Sequence, residues 1–455
     1  MAAGWVIGLR PLSDNSFLTH LATGRLILDT GRVPSVDPYT FTATGEPWVV
    51  QSWLVSVLYA TAERLGGLDG VRVLVGVLTA VLAGLAWTLL RPVESLLPRL
   101  ATAAIFLTVG AGLWAERPFM VGLICFALTA LAMEDRLDPR WLVPLGWVWV
   151  NSHGSFPLGI VLLVLAALGR RLDGGSPAVE LRCLRWALPG MLLGAVGPLG
   201  LRVLVFPLEL LQRQDLLSTV IEWQAPTFQS TSQRMFVVQL ALAIVVIARK
   251  PSYRSALIVA VFSAAALLGA RNLVVASLAM LPAMAPGLAG IGRLSSLDRA
   301  RPARLAGVAS LAVILLLTLA RVDQHDLDLG HYPVGPLTYL ESAGVDTREV
   351  HLAAPDYVGN LIDYVYGPEE RTFYDDRFDM FPEEVTKAHS ALITGAPSLR
   401  SEMDAFDIDL VVVLSASATG QILNNDPAWR ALFVDDGWVL LCRRGSDLGS
   451  TAGTC

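Results

Sequence analysis

Apolar residues in this chain gather in long blocks separated by short polar connections. They follow neither the alternation of a half-buried strand nor the one-sided spacing of a surface helix. The blocks predict helical spans at 71–90, 100–115, 119–133, 141–152, 155–169, 187–210, 235–249, 256–270, 272–287 and 305–321. Several are shorter than the roughly 20 residues that cross a bilayer. Such spans are expected to tilt, to draw in neighbouring semi-polar residues, or to shelter behind other helices.

The connections fall into two alternating sets. One carries Arg91 and Arg99, then Arg136 and Arg140, then Arg170, Arg171, Arg182 and Arg185, then Arg249, Lys250 and Arg254, and finally Arg293, Arg299, Arg301 and Arg304. Arginines that are merely solvated have no reason to fall on every second loop. The excess of basic residues on cytoplasmic loops predicts that this set faces the cytoplasm. The other set, with both chain ends, then lies outside, in a multi-pass protein of the plasma membrane.

Two regions break the pattern. The opening MAAGWVIGLR is too short to span and has no basic residues before it, so it is not a complete signal peptide. A misplaced start or a truncated copy is the expectation. Residues 11–70 form an external segment with two predicted interfacial helices, Asn15–Leu28 and Trp48–Leu65, flanking the turn VPSVDPYTFT. After Arg321 no spanning block remains. Short β-type runs at Glu349–Ala354, Arg371–Tyr374, Asp409–Leu414 and Trp438–Cys442 alternate with helical stretches at Gly335–Ser342, Glu383–Ile393 and Leu399–Phe406. The expected organisation is an all-α membrane bundle of about ten or eleven spans over 1–322, with an extracytoplasmic α/β domain over 323–455.

Composition agrees with this picture. Hydrophobic residues make up 54% of the 455 and charged residues 16%, against about 25% charged in soluble domains. A net charge of −6 and an acidic C-terminal region argue against a nucleic-acid partner. The cysteines show no metal-binding spacing. Cys442 and Cys455 could pair, but an unpaired core cysteine and a tail cysteine are the expectation.

The non-basic connections hold the candidate chemistry. Asp14 opens the first interfacial helix, where an aspartate also serves as an N-cap. His20 follows on the same helix and reads equally as an interfacial hydrogen-bonding group or a substrate contact. Asp37 sits in the turn. Arg117 lies between two spans and suits an anion or phosphate, though a snorkelling arginine would look the same. Asn151 and His153 stand in WVWVNSHGSFPLG, where polar groups at membrane depth need protein or water partners. Glu222 beside Trp223 suits a sugar, although an exposed glutamate is more often only solvated. Arg271 interrupts two apolar runs and requires a partner, either an anion or a carboxylate.

Taken in order, Asp14-x5-His20, DPYTFT, QSWL at Gln51–Leu54, ERPFM, VNSHGSFPLG, IEW, ARN and YDDRFDMFP at Tyr374–Pro382 resemble bacterial multi-pass members of the GT-C glycosyltransferase superfamily. Gln51–Ser52 and Gly197–Pro198 depart from the pairs common there. The resemblance implies transfer of a sugar from a polyprenyl-phosphate carrier to an acceptor on the outer face, and Asp14 matches the acidic position of the first external segment. The expected chemistry is inverting hexosyl or pentosyl transfer. Asp14 would be the general base, with Asp37 the alternative. Arg117 and Arg271 would hold the phosphate, His153, Asn151, Glu222 and Trp223 would orient sugar or acceptor, and His20 would touch substrate. The acceptor would be a cell-envelope glycan, lipid or protein, beside membrane lipids. No cofactor is certain from the sequence. A divalent cation could sit beside Asp14, Asp37 and Glu222, but their spacing does not demand one. Two other classes stay open: a transporter or flippase for a lipid-linked substrate, which would carry charges through the bilayer, and a non-catalytic scaffold.

Overall fold

The structure, a computed structural model, describes residues 1–212, 223–289, 291, 312, 316–318, 327–369, 372–435, 437–449 and 454–455. The chain forms two compact units. Met1–Leu12 and Thr61–Leu327 make a helical unit, and Ser13–Ala60 with Asp328–Cys455 make a mixed α/β unit. The segment expected to lie outside, 11–70, therefore contributes residues to both.

The helical unit opens with α1 (Ala2–Gly8), which packs on the second half of α3 (Trp53–Leu89). A Cβ at Gly4 would lie 2.5 Å from the Thr79 carbonyl oxygen, so the contact depends on a missing side chain. The range of α3 takes in two helices, the second interfacial helix and the first span, which the apolar pattern also separates. The break between them survives at Gly66 (φ −152°) and Gly67 (φ 62°, ψ −158°), the second a backbone state natural only to glycine. The helix starts at Trp53 rather than Trp48, because Trp48 and Val50 are buried in the core of the α/β unit. Burial there outweighs the local helical pattern.

The bundle continues with α4 (Leu96–Ala111), α5 (Phe119–Met133), α6 (Leu142–Ser152), α7 (Pro157–Leu172), α8 (Ala178–Leu193), α9 (Arg202–Gln212), α10 (Thr231–Arg249), α11 (Tyr253–Leu268) and α12 (Leu273–Leu288). Among the described residues, three helical stretches are long and apolar enough to cross a membrane: Trp53–Leu89, Thr231–Arg249 and Ala270–Leu288. Leu96–Ala111, Phe119–Met133 and Tyr253–Leu268 are shorter apolar helices. The expected span at 187–210 is divided. Gly194, Gly197–Pro198 and Gly200 (φ 57°) end α8 and separate it from α9. Helix α8 in turn begins earlier than expected, so Arg182 and Arg185 lie on a helix and not in a loop. Helices α6 and α8 approach through Gly146 and Gly190, where a Cβ at Gly190 would fall 2.4 Å from the Leu142 carbonyl oxygen. Small residues serve this purpose wherever backbones must come close.

Ion pairs join the helix ends at the arginine-bearing end of this unit. Glu180 is fully buried and accepts from Arg170 at 2.7 Å, with Arg254 at 3.3 Å. Arg254 also meets Glu134 at 2.8 Å. Asp173 accepts from the backbone N–H groups of Tyr253 and Arg254 and from the Ser252 hydroxyl. Arg293, Arg299, Arg301 and Arg304, and most of the expected span 305–321, lie outside the described residues.

The α/β unit combines α2 (Asn15–Thr30) and the first part of α3 with α13 (Val334–Ser342), α14 (Asp356–Tyr366), α15 (Glu383–Thr394), α16 (Leu399–Ala405) and α17 (Ala418–Asn424). Its sheet has strands β1 (Leu352–Ala353), β2 (Leu410–Leu414), β3 (Trp429–Val434) and β4 (Trp438–Arg443), in the order β1-β2-β4-β3. Strands β1 and β2 run parallel, and the other pairs are antiparallel. Thr372 bridges both Leu352 and Thr40. The turn from the N-terminal segment thus extends the β1 edge, and the run at Arg371–Tyr374 supplies isolated bridges at Thr372 instead of a strand. Cys442 and Cys455 are paired, with Cα atoms 6.3 Å apart, against the expectation of two unpaired thiols.

Candidate functional site

At the other end of the helical unit the connections hold polar side chains with defined partners. Arg10 donates to the carbonyls of Ala111 (3.3 Å) and Trp114, and faces the buried Glu116 carboxylate at 3.8 Å. Arg117 follows, half-buried, just before Pro118 caps α5. Phe119 packs on the His153 ring with centroids 4.9 Å apart, which brings the α4–α5 and α6–α7 connections together. The His153 Nδ1 accepts from the Ser155 backbone N–H at 3.1 Å, so a neutral ring carries its proton on Nε2. Arg271 lies over the Trp223 ring at 4.2 Å. A guanidinium on an aromatic face is favourably placed.

Asn151 is placed differently from the expectation of a substrate contact. It is fully buried, and its amide donates to the Trp147 and Gly194 carbonyls at 2.9 and 3.1 Å. Those bonds tie the end of α6 to the break after α8. Glu222, expected beside Trp223 in sugar binding, lies outside the described residues.

In the α/β unit Asp14 occupies the N-cap position of α2, yet its side chain makes no capping bond to that helix. Burial first, and the Asp14 charge second, raise the Tyr332 hydroxyl above its ordinary value. His20 lies one and a half turns on, with Nδ1 3.3 Å from the Ser56 hydroxyl. Helix α2 reaches this contact because Gly24 leaves room for the Ser56 carbonyl, which would stand 1.9 Å from a Cβ there.

Asp37 belongs to a separate, closed arrangement. Its carboxylate accepts from the Tyr39 and Thr40 backbone N–H groups (3.1 and 3.0 Å) and from the Thr40 hydroxyl. It also meets Arg377 at 2.8 Å. Arg377 simultaneously pairs with Asp375 and lies over the rings of Trp48 (4.5 Å) and Tyr39 (4.8 Å). Asp363, fully buried, accepts from Thr372 at 3.3 Å. Burial, and next the charges of Asp375 and Asp37, hold the Asp363 carboxyl well above the usual range. Burial alone would lower Arg377, but the Asp375 and Asp37 carboxylates win and raise it. Three carboxyl groups around one guanidinium resolve their excess charge through the proton on Asp363.

Sequence reasoning passed over Arg10, Glu116, Asp363, Asp375 and Arg377. The last two stand within YDDRFDMFP, whose run of acids around one arginine was the available signal. Among the described residues no group of three or more His, Cys, Asp or Glu is placed to hold a metal ion.

No family model and no curated protein matches the chain. Among solved structures it is similar to the archaeal oligosaccharyltransferase AglB from Archaeoglobus fulgidus, determined in complex with an inhibitory peptide and a dolichol-phosphate. That likeness has a TM-score of 0.49 at 12% identity and covers 91% of this chain and 68% of that chain.

Proposed function

We propose that this chain is a membrane glycosyltransferase that moves a sugar from a polyprenyl-phosphate donor to an acceptor at the extracytoplasmic face, with inversion. The acceptor hydroxyl attacks the anomeric carbon, the bond from that carbon to the phosphate oxygen breaks, and the phosphate leaves on its lipid. Asp14 takes the hydroxyl proton. Arg117 and Arg271 meet the charge that grows on the departing phosphate, and His153 and Trp223 orient the sugar or acceptor. His20 contacts substrate. The Cys442–Cys455 pair supports an oxidising, outer location for the α/β unit, in keeping with arginine-rich connections on the cytoplasmic side.

The observation that carries the reading is Asp14. It stands at the head of α2, with His20 further along the same helix, and its charge acts on the Tyr332 hydroxyl. Asp37, with its oxygens committed to Arg377, Tyr39 and Thr40, is held as a structural anchor, which favours Asp14 as the base. Asparagine has the size and shape of aspartate but cannot accept the proton. Asp14→Asn should therefore keep the thermal midpoint of the purified chain and lower transfer from polyprenyl-phosphate sugars by about 10²–10⁴-fold. Transfer at the wild-type rate in that variant would remove Asp14 from the chemistry.

A further inference from the structure

The arginine-bearing end of the helical unit contains an open cavity of about 780 Å³. Arg136 and Arg140, in the connection before α6, and Arg182, Arg185 and Trp186, on α8, line it. The α8 residues stand three and four apart and so share one face of the helix. Four guanidinium groups and two carboxylates line the cavity, a surplus of two positive charges. The carboxylates are already engaged. Asp138 accepts from the Arg140 backbone N–H at 2.9 Å, and Asp135 lies 4.0 Å from Arg182. Arg136 spends one nitrogen on the Thr88 carbonyl. Arg140 and Arg185 have no ion-pair partner among the described residues.

Apolar surface continues the cavity along α8. Leu188 and Leu192 follow Arg185 on the same stripe, at 49% and 64% exposure, and Trp141, beside Arg140, is 63% exposed. Exposed leucines on a helix of this bundle face acyl chains, while tryptophan and arginine mark the headgroup level. A ligand that fits both parts has an anionic head, matched to forked guanidinium donors, and an apolar body.

We propose that this cavity binds a phosphate group carried by an anionic phospholipid, with the phosphate between Arg140 and Arg185 and an acyl chain along Leu188 and Leu192. This site lies at the end of the helical unit away from Arg117, His153 and Arg271, and it does not depend on the glycosyl-transfer reading.

The test uses the full chain in a neutral detergent, with lipid occupancy read by native mass spectrometry. Phosphatidylglycerol, phosphatidylcholine and inorganic phosphate are titrated separately. Phosphatidylglycerol should bind, phosphatidylcholine should bind far more weakly, and inorganic phosphate should not displace the lipid. Arg140→Gln with Arg185→Gln should weaken phosphatidylglycerol by about thirtyfold, from the gain of about 1 kcal/mol per basic residue near an anionic lipid, and leave phosphatidylcholine unchanged. Binding of the wild-type chain should also fall as salt is added, a readout that needs no variant. Equal binding of the two lipids, salt-insensitive binding, or an unaffected double variant would overturn the proposal. Inorganic phosphate competing as well as the lipid would overturn the lipid as its source.

Discussion

His389 is the residue through which acid should reach the α/β unit. Its ring stacks on Tyr374 at 4.0 Å, and burial lowers it to about 4 from an ordinary 6.5. The unfolded chain therefore takes up the proton first. The neutral ring's contribution is complete above pH 6.5 and is lost as the pH falls towards 4, up to about 3 kcal/mol. His389→Phe keeps the stack and removes the proton, so the midpoint of urea unfolding should change less between pH 6.5 and 4 than in the parent. Asp363 runs the opposite way. Its raised carboxyl holds a proton in the folded state, so its contribution is full in acid and is lost as the pH rises through that value. Asp363→Asn should raise the thermal midpoint more at pH 8 than at pH 5. Arg377→Met leaves Asp37 and Asp375 buried without their cation and should cost about 3–5 kcal/mol, read as a lost or strongly lowered unfolding transition. Residue types and spacing drew notice to Asp14, Asp37 and Arg271 alike. They could not separate the carboxylate facing Arg377 from the one at the head of α2, because that difference lies in a partner more than 300 positions away along the chain.

Apolar blocks translate into helices well where a block is uninterrupted. The expected 119–133 coincides with α5, and 141–152 differs from α6 by one residue. Interruptions were harder to read. Gly194, Gly197 and Gly200 divide one expected span, whereas Gly66–Gly67 mark the break already expected between the second interfacial helix and the first span. Strand β3 escaped notice because it is an edge strand with a bulge between Ala431 and Phe433, so its side chains lack clean alternation. Helix packing gives a sharper test. Gly24→Ala places a methyl group against the Ser56 carbonyl and should lower stability by about 1–3 kcal/mol, measured as a drop in thermal midpoint. Gly31→Ala, where the cap has φ 66° and open space around it, should cost less than Gly24→Ala.

For the molecule as a whole, orientation is the property with the simplest check. Single cysteines introduced at Gly175, at the arginine-bearing end, and at Asn425, in the α/β unit, should differ towards a membrane-impermeant maleimide applied to intact cells. Asn425→Cys should label and Gly175→Cys should not, and the reverse pattern would invert the topology. The α/β unit also has a history built into it. Ser13–Ala60 is made well before Asp328–Cys455, the part that completes it. The turn holding Asp37 cannot meet Arg377 until synthesis has passed through the helical unit. At ordinary translation rates that interval is on the order of tens of seconds. Through it, Tyr39, Trp48 and Val50 have no core to enter. Nascent chains stalled before residue 372 should therefore expose this segment to protease, and chains released at full length should protect it. Biogenesis, more than final stability, is where this arrangement places its demand on the cell, and a chaperone or the bilayer surface must shelter the segment in the meantime.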